Sequence, residues 1–487
     1  METIQVKTVD PLSQELLKSA YQKGIKLGWD RFEKLQPQDG FLRTGLSCPY
    51  GCLQGPCRID PFGRGPERGL CGLDRDGMAA ALLLRLSLSG ALEAMPPAAR
   101  EVSWDPALKD VAAGAAKKLG GEGISSAEIQ AAASSLMRPM ESAEGLINRS
   151  LRLAFLTIGW LARGAALPAG KKSLSLKAGY GLLAQKGFNV GICGQPSPED
   201  LKTILAEANR AFPGGAQGVS LGGFIPLEGA YLPCACTSGE AELILSSGKI
   251  HLLVAGPGTD ASIFELCRAL NIPCVSSTET KSARTLLGKA KKDPGAPVQN
   301  PFSPPPSLVE EVEAAGGAAL WEESLKKAGA RKLALLGGAD HPYHPMGWIP
   351  TEVAPALRAK GLSVSSWGDA ALWMVKKGLA SPKGKSPVQV LGGELAPVLA
   401  LKALASSGRM KDVKGVCFAG MKSCRDLALA LGLAGFGLKV GVAVPLPLWG
   451  SEKARSLLGE KLAALGGSLT HYDHPAQAEE ILDWFTK

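Results

Sequence analysis

Aromatic residues are scarce in this 487-residue chain, at 6%, and histidine occurs only 5 times. So few rings exclude an aromatic-lined platform for single-stranded nucleic acid, and no nucleic-acid partner is expected. No run of five or six like charges occurs. The net charge of +9 therefore spreads over a solvated surface, in short groups such as Lys289, Lys291 and Lys292. A basic surface of this kind suits an acidic protein partner. The polar start, Met1 to Asp10, lacks the apolar core of a secretion signal. The most apolar stretches, Met78–Met95 and Leu153–Ala169, are interrupted by Arg85 and Arg163. Neither offers about 20 clean apolar residues, so no membrane span is expected. There is no G-x-x-x-x-G-K-[ST] loop and no G-x-S-x-G elbow, which removes P-loop NTPases and α/β-hydrolases. The 11 cysteines are too few for a disulfide scaffold at this length. The expectation is a cytoplasmic protein with reduced thiols free to bind metal.

What is present is organised in blocks. At roughly 150 residues each, the length suggests about three domains. Residues 11–36 have helical spacing, with Leu12, Leu16, Leu17, Tyr21 and Ile25 on one side. A Gly- and Pro-rich loop over 37–72 carries cysteines, and an Ala- and Leu-rich helical pattern then runs from Asp74 to about Gly170. From Gly187 the texture changes. Short apolar runs end in glycine, as in Asn189–Gly194 and His251–Gly256, and helical stretches such as Pro198–Arg210 and Asp260–Leu270 follow them. Strand, glycine turn and helix in alternation predict parallel sheets with crossover helices. Six prolines between Asp293 and Pro306 read as a stiff linker. Beyond it, Lys332–Gly338, Leu362–Gly368, Val388–Gly393, Gly415–Gly420 and Lys439–Val444 each read as a strand. The predicted fold is α/β. An N-terminal α-helical domain over 1–185 precedes two doubly wound, Rossmann-like parallel-sheet domains over 186–305 and 306–487. Ligands of such sheets sit beyond the carboxyl ends of the strands. Cys193, Cys274, Cys417 and Cys424 fall in or just after those ends.

Cys48, Cys52, Cys57 and Cys71 have the spacing C-x3-C-x4-C-x13-C among many glycines. Four thiolates on one loop can surround a metal or a cluster, and glycine lets backbone amides approach the sulfurs. From spacing alone, structural zinc and a [4Fe–4S] cluster compete. Their neighbours are more specific. Gly55-Pro56-Cys57-Arg58-Ile59-Asp60-Pro61-Phe62-Gly63 and Gly69-Leu70-Cys71-Gly72 resemble the N-terminal cluster loop of the anaerobic nickel–iron carbon monoxide dehydrogenases, in the hybrid-cluster superfamily. The approach, Trp29-Asp30-Arg31-Phe32 and then Gln36-Pro37-Gln38, resembles it too. The resemblance implies that Cys48, Cys52, Cys57 and Cys71 hold an electron-relay [4Fe–4S] cluster. The extra residue between the first two ligands, where the family has C-x2-C, removes no ligand. The family also shares a cluster between two subunits. Asp39 and Ser47 stand at its cysteine positions, so a homodimer here would lack that bridge.

The same resemblance reaches the C-terminal half. Met421-Lys422-Ser423-Cys424-Arg425-Asp426 is similar to the family's M-G-S-C-x-D, and Pro447-Leu448-Trp449-Gly450-Ser451-Glu452-Lys453-Ala454 to its P-E-W-x-S-E-K-A. It implies Cys424 as an active-site metal ligand and Lys453 as a catalytic proton donor. Other active-site positions differ. Gln195 follows Gly194 where the family has a histidine ligand, and Asp369, Gly338 and Ala255-Gly256-Pro257 stand where it has cysteines. Ala94 and Pro97 replace its histidine relay. A thiolate-rich cage holds nickel and sulfide-bridged iron. Losing most of it speaks against nickel and against CO/CO2 interconversion. Cys193, Cys234, Cys236 and Cys424 are the candidate ligands of a rebuilt second cluster. Cys267, Cys274 and Cys417 read as small buried hydrophobes, and His341 and His344 as loop residues without a metal. Three functions follow. One is an iron–sulfur redox protein with a ferredoxin-like partner. Another is a non-catalytic electron-transfer or scaffold subunit. The third is a reductase of a small molecule such as hydroxylamine at the rebuilt cluster.

Overall fold

The computed structural model describes residues 6–35, 44–50, 52–96, 102–137, 141–164, 173–184, 187–213, 215–227, 229–292, 302–315, 318–327, 329, 332–381 and 387–487. Asp39, Pro97 and most of the proline-rich linker lie outside these residues.

The N-terminal part is helical, and its helices begin where short acidic side chains cap them. Asp10 Oδ1 accepts from the Ser13 N–H at 2.9 Å and starts helix Pro11–Gln22. Asp74 Oδ1 accepts from the Gly77 N–H at 2.9 Å and starts helix Arg75–Ala94. Each satisfies an amide that the first helical turn leaves unpaired. Helix Arg75–Ala94 is long and apolar enough to cross a membrane, but 61% of its most apolar window is buried inside the fold. It packs with helices Ala143–Gly164 and Cys424–Gly435. Glycines allow the close approach: a Cβ on Gly90 would lie 2.3 Å from the Cys424 carbonyl oxygen, and one on Gly435 2.6 Å from the Phe155 ring. Leu83, Leu84, Leu151, Phe155 and Leu429 are fully buried there and supply the hydrophobic stabilisation.

The rest of the chain is α/β, as the alternation of strand, glycine and helix predicts. The earlier strands are β1 (Leu174–Ala178), β2 (Phe188–Cys193), β3 (Ala216–Leu221), β4 (Pro226–Leu227), β5 (Ala230–Tyr231), β6 (Cys234–Cys236), β7 (Leu252–Ala255) and β8 (Cys274–Ser276). The later ones are β9 (Glu310–Ala314), β10 (Leu333–Gly338), β11 (Ser363–Trp367), β12 (Gln389–Gly392), β13 (Val413–Gly420), β14 (Lys439–Val442) and β15 (Ser468–His471). The path across the sheet is β15-β14-β13-β10-β11-β12-β9-β1-β6-β3-β2-β7-β8. All neighbours on this path are parallel except β1 and β9, which pair antiparallel from Leu174 opposite Ala314 to Ala178 opposite Glu310. The two parallel arrays are thus joined edge to edge through one antiparallel pair, so the later strands continue the same sheet. Parallel strands need both faces covered, which fits β2, β7 and β10 being buried along their whole length.

Candidate functional site

Strand ends from both arrays meet at a cavity of about 310 Å³. Ser238 and Gly239 reach it after β6, Asp260 after β7, Asp340 and His341 after β10, and Met421 and Lys422 after β13; Leu27, Gly28 and Trp29 close one side. This is the location expected for a ligand in such a sheet. The cations in the wall are already paired. Lys422 Nζ lies 2.9 Å from Asp260 Oδ2, and Arg31 bonds Glu242. Burial works against the Lys422 charge, but Asp260 outweighs it and raises the pKa.

Behind the cavity lies a buried polar network. Asp369, in the first turn of helix Gly368–Lys376, accepts from the Ser238 N–H at 2.9 Å and the Asp340 N–H at 3.0 Å. Asp340 Oδ1 accepts from Trp373 Nε1 at 2.8 Å. Thr237 Oγ1 lies 2.5 Å from Asp340 Oδ2 and 3.2 Å from Glu240 Oε2. Glu240 is fully buried. Lys376 Nζ donates to both of its oxygens at 2.7 Å, and Tyr180 and Ser13 donate to Oε1 at 2.6 and 2.7 Å. Burial opposes the charge on Glu240, yet Lys376 and the other donors prevail and hold its pKa below the ordinary carboxylate range. Among the described residues, no cation pairs with Asp340. Burial first, then the neighbouring Asp369, push it up to about 8. His341 also lines the cavity, and burial pushes it down to about 4, which keeps its ring neutral. His344 is buried with Nε2 3.0 Å from the Ala476 carbonyl oxygen.

This network was not singled out from the sequence, in which only Cys234 and Cys236 of this segment drew notice. The usable signal was T-x-x-E, a capping-box pattern. Its side chains do cap a short turn here: Glu240 Oε2 accepts from the Thr237 N–H at 3.0 Å.

The cysteine loop lies elsewhere, at the start of helix Arg75–Ala94. The Cys48 N–H donates to the Cys57 carbonyl at 2.9 Å and the Ile59 N–H to that of Leu46 at 3.0 Å, which zips the loop's two arms together. The Leu70 N–H donates to Cys57 Sγ at 3.4 Å and brings in the arm that carries Cys71. A Cβ on Gly55 would lie 3.6 Å from Cys52 Sγ, and one on Gly69 3.7 Å from Cys57 Sγ, so backbone approaches both sulfurs. All four cysteines are free; Cys52 and Cys71 are exposed and Cys48 and Cys57 half-buried. Tyr50 is pushed up to about 12 by burial, then by Cys71 and Cys48 beside it. Arg85 Nη1 ties the loop to the helix through the Pro49 carbonyl at 2.9 Å. The segment after β14 packs on it as well, with the Gly450 N–H donating to the Thr44 carbonyl at 2.7 Å.

Of the remaining sequence candidates, Cys193, Cys234 and Cys236 lie near one another, whereas Cys424 and Lys453 stand apart from them. Cys193 ends β2, and Cys234 and Cys236 share β6 two strands away. All three are buried, and burial pushes their pKa values up, Cys193 and Cys234 to about 12, which favours neutral thiols. Cys424 opens helix Cys424–Gly435, half-buried near Glu93 and Asp426; burial, then these acids, raise its pKa. Cys267 and Cys417 are buried and Cys274 half-buried. Lys453 is 69% exposed, 3.8 Å from Asp76, and does not line the cavity. Among the described residues, no three His, Cys, Asp or Glu side chains are closed into a metal-holding group, in the loop or at these positions.

No protein-family model matches the chain. It is 47% identical over 90 residues to carbon monoxide dehydrogenase 1 of Methanosarcina mazei, a stretch that covers 18% of this chain and 14% of that protein. It is 49% identical over 84 residues to carbon monoxide dehydrogenase 1 of Carboxydothermus hydrogenoformans, covering 17% and 13%. The matched stretch is thus a small part of these relatives. The fold match is much broader. Carbon monoxide dehydrogenase IV from Carboxydothermus hydrogenoformans superposes with a TM-score of 0.78 at 18% identity, covering 99% of both chains. A nickel-free carbon monoxide dehydrogenase from Thermococcus sp. AM4 gives 0.78 at 17% identity, covering 99% of this chain and 98% of that one. Local sequence identity and whole-chain fold agree: the chain has the fold of carbon monoxide dehydrogenases and is similar to them in sequence over a stretch of about 90 residues.

Proposed function

We propose that the protein is an iron–sulfur redox protein on the carbon monoxide dehydrogenase fold. In this reading Cys48, Cys52, Cys57 and Cys71 hold a [4Fe–4S] cluster, and the nickel centre is missing. One observation carries it: four free thiols share one loop, and the Leu70 N–H donates to Cys57 Sγ. The donor set fits the group, since four cysteines are the usual ligands and amides near sulfur stabilise its charge. When bound, the cluster supplies single-electron relay. The chain's own part is to hold the four thiols and aim the Leu70 amide at one of them.

Two features support the absence of nickel. Gly338 has φ of +107°, and a Cβ there would lie 2.4 Å from the Gly420 carbonyl oxygen, so the cysteine of the family pattern does not fit. Asp369 replaces another soft ligand with hydrogen-bonded oxygen. CO/CO2 interconversion is therefore not expected.

The electron partner in this proposal is an acidic, ferredoxin-like protein that meets the loop face, where Leu53, Phe62 and Leu70 are exposed beside Arg64 and Arg68. Two copies of the chain would pair without a bridging cluster, because Ser47 offers a hydroxyl. A second reading, a small-molecule reductase, draws on the cavity beside Asp340. CO-dependent viologen reduction by anaerobically purified protein, assayed with and without added nickel, tests the proposal. No CO-dependent rate is expected, and a robust rate contradicts the missing nickel centre.

A further inference from the structure

A chain of hydrogen bonds crosses the protein between two openings. One end is the cavity wall at Asp340. The other is a smaller cleft of about 80 Å³ lined by Asp10, Tyr180, Glu310 and Lys376. The links are Asp340 Oδ2 to Thr237 Oγ1 at 2.5 Å, Thr237 Oγ1 to Glu240 Oε2 at 3.2 Å, and Glu240 to Lys376 Nζ at 2.7 Å.

The Thr237 hydroxyl has one hydrogen and two carboxyl oxygens within reach. Glu240 already faces an ammonium and the hydroxyls of Tyr180 and Ser13, so it holds the charge. The short contact at Asp340 then needs a hydrogen from Asp340. Like charges close together disfavour a second ionised acid beside Asp369.

We infer that Asp340 carries a proton at the cavity wall and that Thr237, Glu240 and Lys376 form a relay that replaces it from the second cleft. In the resting arrangement Asp340 donates to Thr237, and Thr237 donates to Glu240. When Asp340 gives its proton to a lone pair in the cavity, the Thr237 hydroxyl passes its hydrogen to Asp340. Glu240 takes one from Lys376 and hands it to Thr237, and Lys376 regains one from water in the cleft. The net change is one proton moved from cleft to cavity, with no electrons transferred. The wall cations Lys422 and Arg31 are paired with Asp260 and Glu242, so the ligand class is a small neutral molecule with a basic nitrogen or oxygen. The groups facing Asp340 are Asp369, Thr237, Glu240 and Trp373, with His341 next to it in the chain.

Infrared difference spectra of the full chain across pH test this. A protonated-carboxyl band is expected at neutral pH that fades as pH rises through about 8 and is missing in Asp340→Asn. Thr237→Val should keep the band but exchange it into heavy water several-fold more slowly, and Thr237→Ser should restore the rate. No band, a band that survives Asp340→Asn, or unchanged exchange in Thr237→Val overturns the inference. If Thr237→Val does not fold, the pH dependence of stability decides. Native Asp340 binds a proton that the unfolded chain has released, so stability should fall from the ordinary carboxylate range up to about 8. Asp340→Asn should flatten that slope, and an unchanged slope overturns the inference. None of these readouts involves the cysteine loop, so this inference and the electron-relay reading fail separately.

Discussion

The Leu70 N–H points at Cys57 Sγ across 3.4 Å, which links the two arms of the cysteine loop through a sulfur. Amide hydrogen bonds to cluster sulfurs stabilise the reduced, more negative state. Leu70→Pro removes this donor. The cluster potential should drop, on the order of tens of millivolts, in an anaerobic redox titration followed by electron paramagnetic resonance. An unchanged potential would mean that this amide does not tune a cluster.

The Glu240–Lys376 pair is an internal constraint, with side-chain exposures of 0% and 6%. Lys376→Met strands a buried carboxylate. It should cost about 3–5 kcal/mol in denaturant unfolding, because a buried charge without its partner is strongly disfavoured. Adding Glu240→Gln should recover much of the loss. If the double variant is as unstable as the single one, the charge is not the cause.

The same carboxylate sets an acid limb. Its pKa is lowered in the fold, so its stabilisation is fully present above the unfolded value and is lost as pH falls through the lowered one. The melting temperature should decline below the ordinary carboxylate range, and Glu240→Gln should flatten that decline. Asp340 contributes with the opposite sign, since its pKa is raised.

Gly90 tests the helical contact. A Cβ there meets the Cys424 carbonyl oxygen at 2.3 Å, a backbone atom that cannot swing away. Gly90→Ala should destabilise by about 1–3 kcal/mol despite its better helix propensity. A stabilised variant would show that helices Arg75–Ala94 and Cys424–Gly435 pack less closely.

Much of this was readable in advance because the signals were local. Gly194 and Gly256 end strands β2 and β7, and the apolar runs before them marked the parallel sheet. The cysteine loop was legible from spacing and from the neighbours of Cys57. The join between the arrays was not, because Glu310-Glu-Val-Glu-Ala314 is a short, acidic segment whose pairing with β1 is set by tertiary contacts. The relay was hidden for a similar reason. Ser13, Tyr180, Glu240, Asp340 and Lys376 come from separate segments, and each looks like an ordinary polar residue in its own. Only burial makes Glu240 need Lys376. The cysteines at the strand ends were the more conspicuous signal, and at Cys193 and Cys417 burial favours the neutral thiol.

The most direct test of the central claim is the iron and acid-labile sulfide content per chain after anaerobic purification, for wild type and Cys57→Ser. About four iron and four sulfide are expected in the wild type, as one [4Fe–4S] cluster requires, and a loss of most of both in the variant. Zinc without sulfide, or iron unchanged in Cys57→Ser, would contradict the account.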